Sequence, residues 1–127
     1  MSDRPSEERL YTVEEANALL PELRRTLEAM QRARAVVLAS AERVRGAVAG
    51  NGGGKQTGEH EEAMDLLRRE TERLSGEGIL LRDIDSGLLD FPAERDGEPV
   101  FLCWQLGEDA VAHWHPVDTG FSGRRSL

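Results

Sequence analysis

The sequence predicts an α+β protein in which a long antiparallel, coiled-coil-like helical hairpin packs on a C-terminal three-stranded antiparallel β-meander. Three observations support this fold class. Apolar residues recur at heptad spacing between residues 13 and 48, a glycine-rich segment follows at 50–58, and the pattern changes from helical to alternating after Gly78. At 127 residues the chain is long enough for one hydrophobic core. We therefore expect a single domain over residues 1–127.

The first helix is predicted over residues 12–49, after a polar, flexible N-terminus at residues 1–10. Thr12 and Glu15 have the spacing of a capping box, in which each side chain accepts a hydrogen bond from the backbone N–H of the other residue. Pro21 has no backbone N–H, so it either kinks this helix or marks its effective start.

An apolar seam runs along the first helix. With Val13 at heptad position a, ten of the eleven a and d positions up to Val48 are apolar, and Arg34 is the exception. A heptad pattern sustained for five repeats predicts a helix that packs lengthwise on another helix. We expect Arg34 to pair with Glu70 or Glu72 across the hairpin, or with a partner chain.

A second, shorter helix is predicted over residues 59–76, after the loop at 50–58. At 1.5 Å per residue the first helix is about 55 Å long and the second about 25 Å, so the second covers only the C-terminal half of the first. The half from Val13 to Met30 must bury its seam against the sheet or against a second copy of the chain. This uncovered half is the reason to expect a homo-oligomer or a protein partner.

The β-meander is predicted over residues 79–116, and a C-terminal tail follows at 117–127. Asp96-Gly97 is the signature of a two-residue type I′ hairpin, and Gly107-Glu108-Asp109 marks a second turn. The predicted strands are residues 88–94, 99–106 and 110–115, preceded by an extended segment at 79–84.

The strand register brings reactive side chains together. Counting back from the first turn, Asp90 lies opposite Cys103, and a three-residue second turn puts Cys103 opposite His113. These three residues then form a row across three strands, and His115 lies beside it. A two-residue second turn would instead move His113 next to Trp104.

The other face of the meander is apolar and is expected to pack on the helices. Its members in the second hairpin are Leu102, Trp104, Leu106, Ala110, Ala112 and Trp114. The row of reactive side chains is therefore expected on the face turned away from the helices.

Three interpretations of the row remain open. Carboxylate, thiol and imidazole groups about 5 Å apart are suitable ligands for a divalent transition metal such as zinc. The candidate ligands are Asp90, Cys103, His113 and His115. The histidine could instead activate the Cys103 thiol as a nucleophile. In the third interpretation the cysteine is a small buried apolar residue and the histidines are surface groups. The spacing has no C-x-x-C or H-E-x-x-H motif, and we assign no catalytic residue.

Composition restricts the compartment and the partners. Cys103 is the single cysteine, so no intrachain disulfide can form and a reducing cytoplasm is expected. The net charge is -8, and residues 79–118 hold nine acidic side chains against two basic ones, which disfavours nucleic acid as a partner. The sequence has no apolar run approaching the roughly 18–20 residues that span a bilayer, so we expect no membrane association.

Four ordered motifs resemble those of a known family. They are Gly87-Leu88-Leu89-Asp90-Phe91-Pro92-Ala93, Leu102-Cys103-Trp104-Gln105-Leu106-Gly107-Glu108, His113-Trp114-His115 and Gly120-Phe121-Ser122-Gly123-Arg124. Their order is similar to the signature GLxDFP, LCWxLGE, WH and GFxGR of a prokaryotic domain-of-unknown-function family, the one numbered 2203. The resemblance spans nearly the whole chain and implies a soluble bacterial protein. It implies no reaction, substrate or cofactor, so no residue role is transferred.

Two functions from different classes follow from these patterns. The sequence favours a non-enzymatic interaction or assembly module that self-associates through its helical hairpin. The alternative is a small metal-binding protein with a Cys/His/Asp site on the β-meander.

Overall fold

The computed structural model describes residues 9–50 and 58–127 and has the predicted α+β architecture, with two helices and one antiparallel sheet. The helices are α1 (Val13–Gly50) and α2 (Gly58–Gly76). The strands are β1 (Leu80–Asp83), β2 (Leu88–Arg95), β3 (Glu98–Gln105), β4 (His113–Pro116) and β5 (Arg125–Ser126). They lie in the order β1-β2-β3-β4-β5. The loop predicted at 50–58 and the N-terminus predicted at 1–10 lie almost entirely outside the described residues.

The start of α1 follows the predicted capping box. The backbone N of Thr12 donates to Glu15 Oε1 at 2.9 Å, and the backbone N of Glu15 donates to Thr12 Oγ1 at 3.0 Å. Each of these two N–H groups would otherwise lack a partner within the helix. The helix continues through Pro21, so this proline does not mark its start.

The sheet and the C-terminal end of α2 together cover the N-terminal half of the α1 seam. α2 reaches further along α1 than the helix lengths predicted, because Arg73 donates to Glu22 Oε2 at 2.8 Å and to Thr26 Oγ1 at 2.6 Å, and Leu74 lies in the same core. Leu20, Leu23, Leu27 and Met30 are each at most 2% exposed and form one core with buried residues of β2 and β3. Full burial of one such side chain contributes about 1.5–3 kcal/mol. The sequence left two partners open for this half, the sheet and a second copy of the chain. In the described residues this half packs on the sheet.

In the part of the chain that the structure describes, the sheet has five strands, so the prediction of three was wrong. The segment expected to be merely extended forms β1, which pairs with β2, and the C-terminal tail contributes β5, which pairs with β4. Both additional strands are short, at four and two residues, and neither is long enough to show an alternating pattern.

The first β-hairpin has the predicted turn and register. Asp96 and Gly97 both have positive φ, at 54° and 80°, as a type I′ turn requires. Arg95 pairs with Glu98, and the ladder places Asp90 opposite Cys103.

The second hairpin keeps the predicted register but its last strand begins later than predicted. Cys103 does pair with His113, yet β4 starts at His113 instead of Ala110. The backbone N of Val111 donates to Asn17 Oδ1 of α1 at 2.8 Å, which takes this segment out of the ladder. Consequently Val111 is buried in the core, whereas Ala110 and Ala112, which were both expected on the core face, are exposed.

Arg34 does not pair across the helical hairpin. Its Nη1 atom lies 2.8 Å from Asp85 Oδ1, in the turn between β1 and β2. Glu70, which was expected as its partner together with Glu72, instead binds Arg73 on its own helix at 2.8 Å. Arg34, the charged residue of the seam, therefore points toward the β1–β2 turn and not toward α2.

Among the described residues, no helix is both long and apolar enough to cross a bilayer.

Candidate metal centre

Three of the predicted ligands lie together on the face of the sheet away from the helices. Asp90 is in β2, Cys103 in β3 and His115 in β4. Asp90 and Cys103 alternate along their strands with residues of the core. They are 3%, 0% and 1% exposed. One donor atom from each lies within 4.8 Å of the others. Thr119 and Phe121 of the C-terminal segment line the same cavity, which explains why an outer face of the sheet is buried here.

Asp90 is at the centre of this group. Its Oδ2 atom accepts a hydrogen bond from Arg82 Nε at 2.9 Å and lies 3.0 Å from His115 Nε2, and its Oδ1 atom lies 3.1 Å from the same nitrogen. The carboxylate therefore has one fixed cationic partner and one imidazole partner, which is how a buried charge is made tolerable.

The two ring nitrogens of His115 have different environments. Nδ1 lies 2.8 Å from the carbonyl oxygen of Pro116, which can only accept, so Nδ1 carries a hydrogen and donates it. In a neutral ring Nε2 would then direct its lone pair at the Asp90 carboxylate. Two electron-rich groups 3.0 Å apart require a positive species between them, either a proton or a metal ion.

The Cys103 thiol is not set up as a nucleophile. Burial, reinforced by the charge of Asp90, raises its pKa from 9.0 to about 11, although Arg124 acts in the opposite direction. Reactive cysteines have a depressed pKa instead. Both nitrogens of His115 are already engaged, by Pro116 and Asp90, so this ring has no free atom with which to take a proton from sulfur. The raised pKa of the thiol and the engaged ring of His115 disfavour thiol catalysis with this histidine as the base.

His113 lies outside the group of three, although its Cα is paired directly with that of Cys103. Its Nδ1 atom is buried and has no hydrogen-bond partner among the described residues. His115 reaches the group from two residues further along β4, because diagonal neighbours on one sheet face lie within reach of long side chains. A row drawn from direct pairs alone therefore selects His113, whereas the donor atoms that lie within 4.8 Å of one another include His115.

Two arginines near the centre were not found from the sequence. Arg82 comes from β1, a strand that was not predicted with a register. Arg124 Nη2 donates to Glu108 Oε1 at 2.7 Å and to the carbonyl oxygen of Cys103 at 3.3 Å. Arg124 is part of the GFxGR motif, which was the only signal in the sequence for its position.

A cavity of about 300 Å³ opens beside the three donors. Arg82, Leu88, Thr119, Gly120 and Phe121 complete its lining. The centre therefore has an accessible side, and a molecule in the cavity would meet the donor atoms and one guanidinium.

The fold and this centre define a class of small α+β protein: a helical hairpin on an antiparallel sheet, with a buried carboxylate, thiol and imidazole on the sheet's far face. The chain belongs to the family described as "Uncharacterized conserved protein (DUF2203)", whose model matches residues 9–127. This match confirms the resemblance found in the motifs. No curated protein and no solved structure matches the chain.

Proposed function

We propose that this protein binds a divalent transition metal ion, with Asp90, Cys103 and His115 as its ligands. The observation that carries the proposal is the contact of His115 Nε2 with the Asp90 carboxylate at 3.0 Å, while Nδ1 is committed to Pro116. A backbone carbonyl that fixes the tautomer of a histidine is the usual outer partner of a ligating imidazole.

The donor set fits zinc and similar ions. Sulfur, imidazole nitrogen and carboxylate oxygen bind zinc at about 2.3, 2.0 and 2.0–2.2 Å, so donors on one tetrahedral ion lie roughly 3.2–3.8 Å apart. The three donors of the centre lie within 4.8 Å of one another, and His115 Nε2 and Asp90 Oδ2, at 3.0 Å, are already close to that spacing. A shift of about 1 Å between the thiol and the other two donors brings the whole set to it. Three protein ligands leave one position of a tetrahedral ion for water or another small molecule, facing the cavity.

Arg82 is placed to orient the Asp90 carboxylate as a metal ligand. Its Nε atom binds Asp90 Oδ2, and its guanidinium stacks on the Phe101 ring at 5.1 Å, which holds it in place. A hydrogen bond to a ligating carboxylate orients it, and loss of such partners typically weakens metal binding by 10- to 100-fold.

The test is metal analysis of the full chain purified without chelator, followed by zinc competition against a chromophoric chelator. We expect about one equivalent of bound metal in the wild type. Cys103→Ser and His115→Gln should each lower zinc affinity by about 100-fold or more. His113→Gln is the matched control, because it changes the neighbouring histidine of the same strand, and it should keep wild-type affinity.

Two results would contradict the proposal. In the first, the wild type contains no stoichiometric metal and takes up none from zinc solutions, which would mean that a proton holds the contact between His115 and Asp90. In the second, His113→Gln and His115→Gln lose the same affinity. Thermal unfolding with and without zinc separates loss of binding from loss of folding, because a ligand raises the melting temperature only of a folded variant that binds it.

Self-association through the helical hairpin stays a prediction, and light scattering of the purified chain tests it. Its original reason was the uncovered seam from Val13 to Met30. That half of the seam packs on the sheet within one chain, so no described contact now favours self-association over the metal centre. The expected cytoplasmic location likewise stays a prediction.

A further inference from the structure

The cavity beside the metal centre has a chemical character of its own. It is lined by the three donor residues, by Arg82, which is bonded to Asp90, and by the apolar side chains of Leu88 and Phe121. At about 300 Å³ it is at the lower end of the range of ligand pockets, about 300–1,000 Å³. It therefore suits a small molecule.

The charges around the cavity favour an anion, provided that the proposed metal is bound. A divalent ion is neutralised by the Asp90 carboxylate and the Cys103 thiolate, since a coordinating thiol loses its proton. Arg124 is neutralised by Glu108, to which it donates at 2.7 Å. The positive charge of Arg82 is then left uncompensated at the edge of the cavity.

Arg82 also has free hydrogen-bonding capacity. Its Nε atom is used by Asp90, and among the described residues its two terminal nitrogens have no hydrogen-bond partner. A guanidinium presents five donors in a planar fork, which matches the two oxygens of a carboxylate or phosphate. The side chain is 44% exposed, so these donors are accessible to a ligand.

We propose, resting on the metal centre proposed above, that its open position binds a small oxyanion, a carboxylate or a phosphate. One oxygen of the anion occupies the fourth position of the metal, and a second accepts hydrogen bonds from Arg82. Leu88 and Phe121 line the cavity beside this bridge, and the hydrogen bonds from Arg82 to the anion are charge-assisted.

The test uses the full chain loaded with Co²⁺, whose visible absorption changes with coordination number and ligand type. Acetate and inorganic phosphate are titrated separately at constant ionic strength, with chloride as the balancing salt. We expect a saturable spectral change with at least one of the two oxyanions, and which of them binds more tightly distinguishes a carboxylate from a phosphate ligand. Replacing chloride with perchlorate in the balancing salt should leave the oxyanion affinity unchanged.

Arg82→Gln is the decisive variant. On the metal-saturated protein it should weaken oxyanion binding by about 10-fold or more, since it removes a charge-assisted hydrogen bond. Arg82→Lys, which keeps the charge but not the fork, should fall between this variant and the wild type. Arg68→Gln is the matched control, because Arg68 is an exposed arginine on α2 that pairs with Asp65. This substitution should leave the affinity for the oxyanion unchanged.

The outcomes separate this inference from the proposal on which it rests. Two results would contradict oxyanion binding and leave the metal centre unaffected. In the first, neither oxyanion changes the Co²⁺ spectrum. In the second, the Arg82→Gln protein binds the oxyanion as tightly as the wild type does. Absence of any cobalt spectrum, in a protein that is folded by circular dichroism, would overturn the metal centre itself and the oxyanion with it.

Discussion

Arg124 donates from Nη2 to Oε1 of Glu108 at 2.7 Å, with the two side chains 14% and 29% exposed. This ion pair joins the C-terminal segment to the turn that follows β3. The same nitrogen reaches the carbonyl oxygen of Cys103, and Glu108 also accepts from the backbone N of Gln105 at 2.8 Å. The pair therefore holds the C-terminal wall of the cavity against the strand that carries the thiol.

The Glu108 pair makes stability depend on pH. Burial acts to raise the pKa of Glu108, but hydrogen bonds from Arg124 and Gln105 and the nearby positive charges outweigh it and lower the pKa below its usual 4.5. A depressed pKa stabilises the folded state above the unfolded value, and this contribution is lost as the pH falls. We expect Glu108→Gln to lower the free energy of unfolding by about 1 kcal/mol at pH 7 and by progressively less below pH 4.5.

Urea unfolding of the wild type and Glu108→Gln between pH 3 and 7 measures this difference. Glu98→Gln serves as the control, because Glu98 is exposed at the first hairpin and should change the free energy of unfolding by less than about 0.5 kcal/mol throughout. A difference between the wild type and Glu108→Gln that stays constant over the whole pH range would contradict the argument.

Asp90 is predicted to be important for folding as well as for metal binding. In the metal-free protein, Asp90→Ala removes the buried acceptor of Arg82 and the partner of His115, which is 1% exposed. Removing one partner of a buried pair costs about 3–5 kcal/mol, and because Arg82 can regain water we expect about 2–4 kcal/mol. Chemical unfolding in the presence of chelator gives this value.

The matched control for Asp90 is an exposed aspartate that also pairs with an arginine. Asp85 binds Arg34 at 2.8 Å with both side chains at least 42% exposed, so Asp85→Ala should cost less than about 1 kcal/mol. Equal losses for Asp85→Ala and Asp90→Ala would mean that the buried contacts of Asp90 contribute nothing beyond an ordinary surface pair.

The parts of the fold that the sequence predicted correctly depend on local chemistry. Thr12 and Glu15 cap α1 through residues three apart, and Asp96-Gly97 sets the register of the first hairpin because its turn type requires positive φ at both residues. Once that turn is placed, strand periodicity puts Asp90 opposite Cys103. The sequence could therefore predict which face of the sheet carries the centre and that Asp90 and Cys103 are direct neighbours on it.

The parts that could not be predicted depend on contacts between distant residues. β4 begins late because Val111 binds Asn17, 94 positions away, and no turn propensity encodes that bond. His115 joins the centre across β3 from Asp90, and the tail that buries both comes from beyond the meander. A two-residue strand such as β5 has no periodicity at all, so the sequence pattern could not show how the tail packs.

The packing of α1 on the sheet gives a further prediction. Leu27 is 0% exposed in the seam half that the sheet covers, whereas Leu38 is 49% exposed further along the same helix. Leu27→Ala should lower the free energy of unfolding by about 3–5 kcal/mol, and Leu38→Ala by less than about 0.5 kcal/mol. If the seam were instead a dimer interface, the loss from Leu27→Ala would depend on protein concentration, which unfolding at two concentrations detects.

Two glycines of the sheet test how closely β2 approaches the end of β3. Gly87 and Gly97 both have positive φ, at 69° and 80°, so alanine is strained at either position by about 1–2 kcal/mol. A Cβ at Gly87 would lie 2.5 Å from Cβ of Leu106, whereas a Cβ at Gly97 would have no atom within 4 Å. Leu106 cannot retreat freely, because its backbone N donates to the carbonyl oxygen of Gly87 at 2.9 Å.

Because the two glycines have similar positive φ angles, the difference between their alanine variants reports mainly the steric contact. We expect Gly97→Ala to lose about 1–2 kcal/mol of unfolding free energy, and Gly87→Ala to lose about 1–3 kcal/mol more. Urea unfolding of both variants at neutral pH measures the difference. Equal losses would mean that Leu106 moves aside at no cost, and the close approach of the two chain segments would then not constrain the edge of the sheet next to the cavity.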